Sequence, residues 1–82
     1  MMCRYETKII AACPMDGRPD LYDATFEAEA TIKCEDILAA IKRFETEKAF
    51  QEAITADLAR ELRCKVTTIG YHSGVKTTVV AP

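Results

Sequence analysis

Long hydrophobic runs are missing from this sequence: no uninterrupted apolar stretch exceeds that from Ile9 to Cys13, far short of the roughly 20 residues a bilayer span requires. Glycine and proline are scarce, at three each in 82 residues, and 49% of the chain is apolar, which excludes a collagen-like repeat or a disordered tail. No cluster of Lys and Arg is present, and 11 basic against 13 acidic residues give a formal net charge of −2. That balance argues against an autonomous nucleic-acid-binding module, whose affinity rests on neutralising several phosphates, but leaves a nucleic-acid-derived small molecule open. The opening Met1-Met2-Cys3-Arg4 lacks the pattern of a signal peptide, so the expectation is a soluble, cytoplasmic protein without a membrane partner. No CxxC pair occurs either. Cys3, Cys13, Cys34 and Cys64 therefore read as free thiols rather than a zinc or redox motif, with Cys34 and Cys64 as core filler.

What is present fits one domain over residues 1–82, with no repeat, linker or low-complexity segment. A chain of this size hides only about 60–65% of its extended surface on folding, so a partner subunit is expected from the start. Arg4 to Cys13 reads as a strand, since Tyr5, Thr7, Ile9 and Ala11 alternate with Glu6 and Lys8. The next residues, CPMDGRPD, concentrate turn chemistry and predict a rigid connection. From Tyr22 to Cys34 apolar and polar residues alternate strictly, predicting a long half-buried strand that overrides the helix propensity of its Ala and Glu.

The period then changes. Ile37, Leu38, Ile41 and Phe44 define one helix beginning near Glu35; Phe50, Ile54, Leu58 and Leu62 define a second over residues 46–63, with Thr46 as its N-cap. Two strands rich in β-branched residues, Cys64 to His72 and Val75 to Ala81, flank Ser73-Gly74, which suits a two-residue hairpin. The order is ββααββ, and the layer rule predicts an α+β domain with an antiparallel four-stranded sheet and both helices on one face. Long sheet edges left uncovered in so small a chain are best protected by pairing with further copies.

With that element order in place, the chain resembles the tunnelling-fold (T-fold) superfamily, whose ββααββ units join edge to edge into a barrel. Within it, CPMDGRPD is similar to the CPxxGxPD segment of the QueF and QueF-like enzymes, and FQEAITADLAREL to their F-H-E helix segment. The resemblance implies a cysteine nucleophile at Cys13, an acid/base at Asp20, and a carboxylate at Glu52 that holds the edge of a deazapurine. It also implies a homo-oligomer with sites at subunit interfaces. The substrate class implied is 7-cyano-7-deazaguanine, as a free purine-like base or within nucleic acid.

Each role has its own chemical logic. A nitrile carbon is a soft electrophile that a thiolate attacks without a metal, while the developing imide nitrogen needs a proton from a facing carboxyl group. A guanine-like edge offers two adjacent N–H donors that one carboxylate matches in a bidentate pair. Apart from the resemblance, the same residues have plainer readings: Asp20 as a turn cap, Glu52 as a solvated helix residue. His72 reads as a proton relay, a substrate contact or metal ligand, or a structural strand-end histidine.

Two departures from the family pattern bear on function. Cys34-Glu35-Asp36-Ile37-Leu38-Ala39-Ala40 stands where the reductase carries a lysine-rich E-S-K-S-type segment associated with NADPH. Gln51, expected from the resemblance to contact the substrate, stands where the family has the histidine of F-H-E, keeping hydrogen bonding but losing a titratable proton. The leading expectation is thus a QueF-like amidinotransferase without cofactor or metal, in which Cys13 forms a thioimide that an amine displaces. The alternatives are an NADPH-dependent nitrile reductase, a non-catalytic deazapurine- or pterin-binding T-fold protein, and a zinc enzyme of the GTP cyclohydrolase type.

Overall fold

Alternating side chains dictate four strands, and the turns between them decide how they meet. In the computed structural model, which describes residues 1–82, β1 (Cys3–Ala12) and β2 (Pro19–Ala28) form a hairpin, α1 (Cys34–Lys42) and α2 (Gln51–Leu62) follow, and β3 (Lys65–His72) and β4 (Val75–Ala81) complete the sheet. A 3-10 turn over Arg43–Glu45 prolongs α1. The strands pair antiparallel in the order β1-β2-β3-β4, so the α+β architecture is the one expected. Ser73 and Gly74 both take positive φ in the β3–β4 turn, the conformation that lets a two-residue loop follow the strand twist. No helix is long and apolar enough to cross a membrane.

Register sorts the strand residues onto two faces. Tyr5 lies opposite Phe26, Ile9 opposite Tyr22, Phe26 opposite Val66 and Ala24 opposite Thr68, all on one face. Both helices cover that face, and Ile37, Ile41, Phe44, Ile54 and Leu58 join Ile9, Tyr22, Phe26 and Val66 in one core. Full burial of each such side chain stabilises the fold by about 1.5–3 kcal/mol. On the other face Arg4 and Lys65 flank Glu27 at 3.4 and 4.0 Å, and Lys8 pairs with Asp23. Exposed pairs of this kind contribute only about 0–1 kcal/mol each, so the core decides the stability.

The largest departures from the expected boundaries fall in β2 and at the start of α2, with shifts of one residue elsewhere. The strand predicted over residues 22–34 runs instead from Pro19 to Ala28. Cys3 pairs with Ala28 and Lys65 with Glu27, so neither neighbour reaches further and the ladder ends. Ala30, Ile32 and Cys34 leave the strand; Ile32 packs against the core and its N–H donates to the Tyr5 hydroxyl at 3.0 Å, while Cys34 is exposed rather than core filler.

The second helix starts at Gln51, not Thr46, because the chain before it is drawn into a parallel bridge between Ala12 and Lys48. Thr46 does not N-cap α2; it closes the 3-10 turn instead, its hydroxyl donating to the Arg43 carbonyl at 3.3 Å. Phe50, in an extended conformation just before α2, is 58% exposed and does not belong to the apolar stripe. Leu38, at 54%, is likewise outside the core, whereas Cys64 is buried as expected and lies just before β3.

Candidate active site

The turn predicted from CPMDGRPD is a closed loop at one end of the sheet. Cys13 N–H donates to the Arg18 carbonyl and Gly17 N–H to the Cys13 carbonyl, both at 2.8 Å, with Gly17 at φ +76°. The side chain that caps this turn is Asp16, whose Oδ1 accepts from Arg18 N–H at 2.9 Å. Asp20 is therefore free of the capping role and sits inside β2, directly opposite Ala11. By alternation Ala11, Cys13, Asp20 and Tyr22 project to the helix-covered side, so the hairpin sets a thiol and a carboxyl group at the same corner.

The Ala12–Lys48 bridge fastens the approach to α2 beside that corner, and β3 and β4 supply the remaining wall. Together these elements enclose a pocket of about 340 Å³ lined by Cys13, Asp20, Tyr22, Gln51, Glu52 and His72, with Thr77 from β4 and Pro14, Met15 and Phe50 at its apolar side. All five residues singled out in the sequence meet there. The volume is at the small end of the range for ligand sites, which suits one fused-ring base.

Sequence reasoning missed Tyr22, Thr77 and the apolar wall. Tyr22 read only as a buried strand residue, although its position two residues beyond Asp20 puts both on one face. Its ring lies against the backbone of Gly70, where a Cβ would come within 2.5 Å of Cε1. The missing Cβ leaves the ring room against β3, 5.9 Å from the His72 ring, with its hydroxyl 3.5 Å from Asp20 Oδ2. Burial first, and then the charge of Asp20 and the hydrogen bond to it, push the Tyr22 phenol up to about 12, with smaller contributions from Cys13 and Glu52. Negative charge therefore converges on this corner, and no lysine or arginine lines the pocket.

Gln51 is 1% exposed and belongs to a polar network beneath the pocket floor. Its amide nitrogen donates to the Thr77 carbonyl at 3.0 Å and to the Thr68 carbonyl and hydroxyl at 3.2 and 3.1 Å. Thr55 donates to the Gln51 carbonyl at 2.7 Å and so accepts from Thr68 at 2.6 Å, closing a ring of hydrogen bonds. The remaining group of the amide, Oε1, faces His72 Nε2 at 2.8 Å. No buried side-chain polar atom in the chain lacks a partner.

Chemically, the corner offers a thiol beside a carboxyl group, a second carboxylate on the first turn of α2, and an imidazole. It is complementary to a neutral or cationic, donor-rich heterocycle. Cys13 and His72 do share the pocket, yet no group of three or more His, Cys, Asp or Glu side chains in the chain is arranged to hold a metal ion.

No family model matches the sequence, and no curated protein matches it significantly. Among solved structures, the chain superposes on an archaeosine synthase QueF-Like, crystallised in the apo form, with a TM-score of 0.89 over 98% of this chain and 90% of that one. Identity between the two is 22%, so the likeness shows the fold alone, that of the single ββααββ unit expected from the sequence.

Proposed function

We propose that the chain is a QueF-like enzyme that acts on the nitrile of 7-cyano-7-deazaguanine and converts it to an amidine without a nicotinamide cofactor. Cys13 Sγ attacks the nitrile carbon, Asp20 delivers the proton that the imide nitrogen acquires, and a thioimide results. Ammonia or another amine then displaces the sulfur. Glu52 accepts two N–H bonds from the guanine-like edge, a pairing that strengthens where water is excluded. The observation that carries this reading is the meeting of Cys13, Asp20 and Glu52 in one pocket of a size for one base.

Support for the nicotinamide-free outcome comes from α1. The residues replacing the reductase's lysine-rich segment open this helix with Glu35 and Asp36 in its first turn, and residues 34–40 contain no lysine or arginine to hold a 2′-phosphate. The working form is a homo-oligomer with pockets at subunit boundaries. β4 and, short of its bridge at Ala12, β1 present unpaired edges, and Met15 and Phe50 leave 82% and 58% of their surface exposed at the pocket mouth, where a second copy would cover them.

The test is conversion of the nitrile base in the presence of ammonium, followed by chromatography of the product. An amidine formed by the unaltered protein and lost in Cys13→Ala is expected. Asp20→Asn should slow the reaction by roughly 10²–10⁴-fold, the usual contribution of a positioned general acid. No product under saturating base, with the fold intact, would leave a binding protein in place of an enzyme.

A further inference from the structure

The Gln51 amide is oriented by groups that leave it no choice. Two of its three acceptors, the carbonyls of Thr68 and Thr77, can only accept, so the NH₂ end must face them and Oε1 must face His72. An amide oxygen can only accept. The His72 nitrogen 2.8 Å from it, Nε2, must therefore carry a hydrogen, and in the neutral ring the lone pair falls on Nδ1. Nδ1 makes no hydrogen bond within the chain, and His72 lines the pocket together with Cys13, Asp20, Tyr22 and Glu52. The Tyr22 ring, 5.9 Å away, restricts the imidazole from its other side.

From this we infer that His72 is the base of the amine-transfer half of the reaction and that Gln51 is its positioning residue, an inference resting on the proposed thioimide chemistry. A neutral amine adds through its nitrogen lone pair to the thioimide carbon, forming the C–N bond, and one N–H proton passes to His72 Nδ1. The C–S bond then breaks, its electron pair leaves on Cys13 Sγ, and the C=N bond re-forms to give the amidine. The imidazolium returns its proton to the thiolate, so thiol and neutral imidazole are both restored. Asp20 serves the first half, in which the imide nitrogen gains a proton, and His72 the second, in which the incoming nitrogen loses one. Histidine and glutamine thus divide between β3 and α2 the work of holding and moving that proton.

Two measurements test this, and the chain helps by containing one histidine. A long-range ¹H–¹⁵N correlation spectrum of the unaltered protein at a pH where the ring is neutral should show a pyrrole-type Nε2 and a pyridine-type Nδ1. The opposite tautomer, or a rapidly averaged mixture, would overturn the inference. The second measurement uses His72→Gln, whose amide can still donate to Gln51 Oε1 but cannot act as a base. Amine-dependent release of the amidine from the preformed thioimide, both read by intact mass, should slow by roughly 10²–10⁴-fold, well beyond any change in the rate at which the thioimide forms. Thioimide formation and release both at the unaltered rates would overturn the role of His72 alone. Absence of any thioimide in the unaltered protein would instead overturn the enzyme reading, and this role with it.

Discussion

Substituting Gly70→Ala tests whether the contact between β3 and the Tyr22 ring shapes the site. A methyl group there would lie 2.5 Å from Tyr22 Cε1 and closer still to Cδ1, against an ordinary carbon–carbon separation of about 3.5–4.0 Å. The ring would have to move by about 1 Å. It has little room to do so, since Tyr22 is 1% exposed and packed within the core. Overpacking of this kind costs about 1–3 kcal/mol, which in a domain of this size lowers Tm by roughly 4–8 °C per kcal/mol.

A double-mutant cycle isolates the cause. In a Tyr22→Ala background the space is vacant, so adding Gly70→Ala should cost much less, giving a coupling of about 1–3 kcal/mol in urea unfolding. Gly74→Ala provides a contrast: no atom lies within 4 Å, and only its φ of +81° opposes the change. It should destabilise the hairpin and leave the Tyr22 titration untouched. Additive effects of Gly70→Ala and Tyr22→Ala, or a Gly70→Ala protein within 0.5 kcal/mol of the original, would refute the reasoning.

Further outcomes follow from the same geometry. The Tyr22 phenol should titrate near 12 in an ultraviolet absorbance titration, and Asp20→Asn should bring it down without reaching the ordinary value, because burial is the larger cause. Its folded value lies above the ordinary 10.0, so its contribution is fully present below pH 10 and is lost as the pH rises through about 12. Denaturant titrations at several alkaline pH values, compared with Tyr22→Phe, read that loss. Glu52→Ala should chiefly weaken binding of the base in calorimetry, with a far smaller effect on the rate at saturation. Sedimentation at micromolar concentration should show an assembly; a 9.1 kDa species alone would contradict the subunit-boundary site.

Much of this arrangement was legible in the sequence because alternation and helical periodicity are local. Tyr5 to Ala11 and Tyr22 to Phe26 announce their faces without knowledge of any partner. The end of β2 was not legible, since Glu29 to Lys33 continue the alternation and only the length of the neighbouring strands stops the ladder at Ala28. The start of α2 was hidden for a similar reason: Ala12, 36 residues away, draws Lys48 into an extended bridge. Cys13, Asp20, Gln51, Glu52 and His72 drew notice as motif and chemistry, but their meeting depends on register. Tyr22 and Gly70 escaped because a tyrosine in an alternating strand and a glycine near a strand end each look ordinary until the sheet places one on the other.

The most direct test of the central claim is the mass of the protein after incubation with 7-cyano-7-deazaguanine. Addition of one base per chain, mapped by peptide analysis to Cys13, absent in Cys13→Ala and retained in Cys34→Ala and Cys64→Ala, is the predicted result. An adduct that survives loss of Cys13, or none under saturating ligand with the fold and assembly intact, would contradict it.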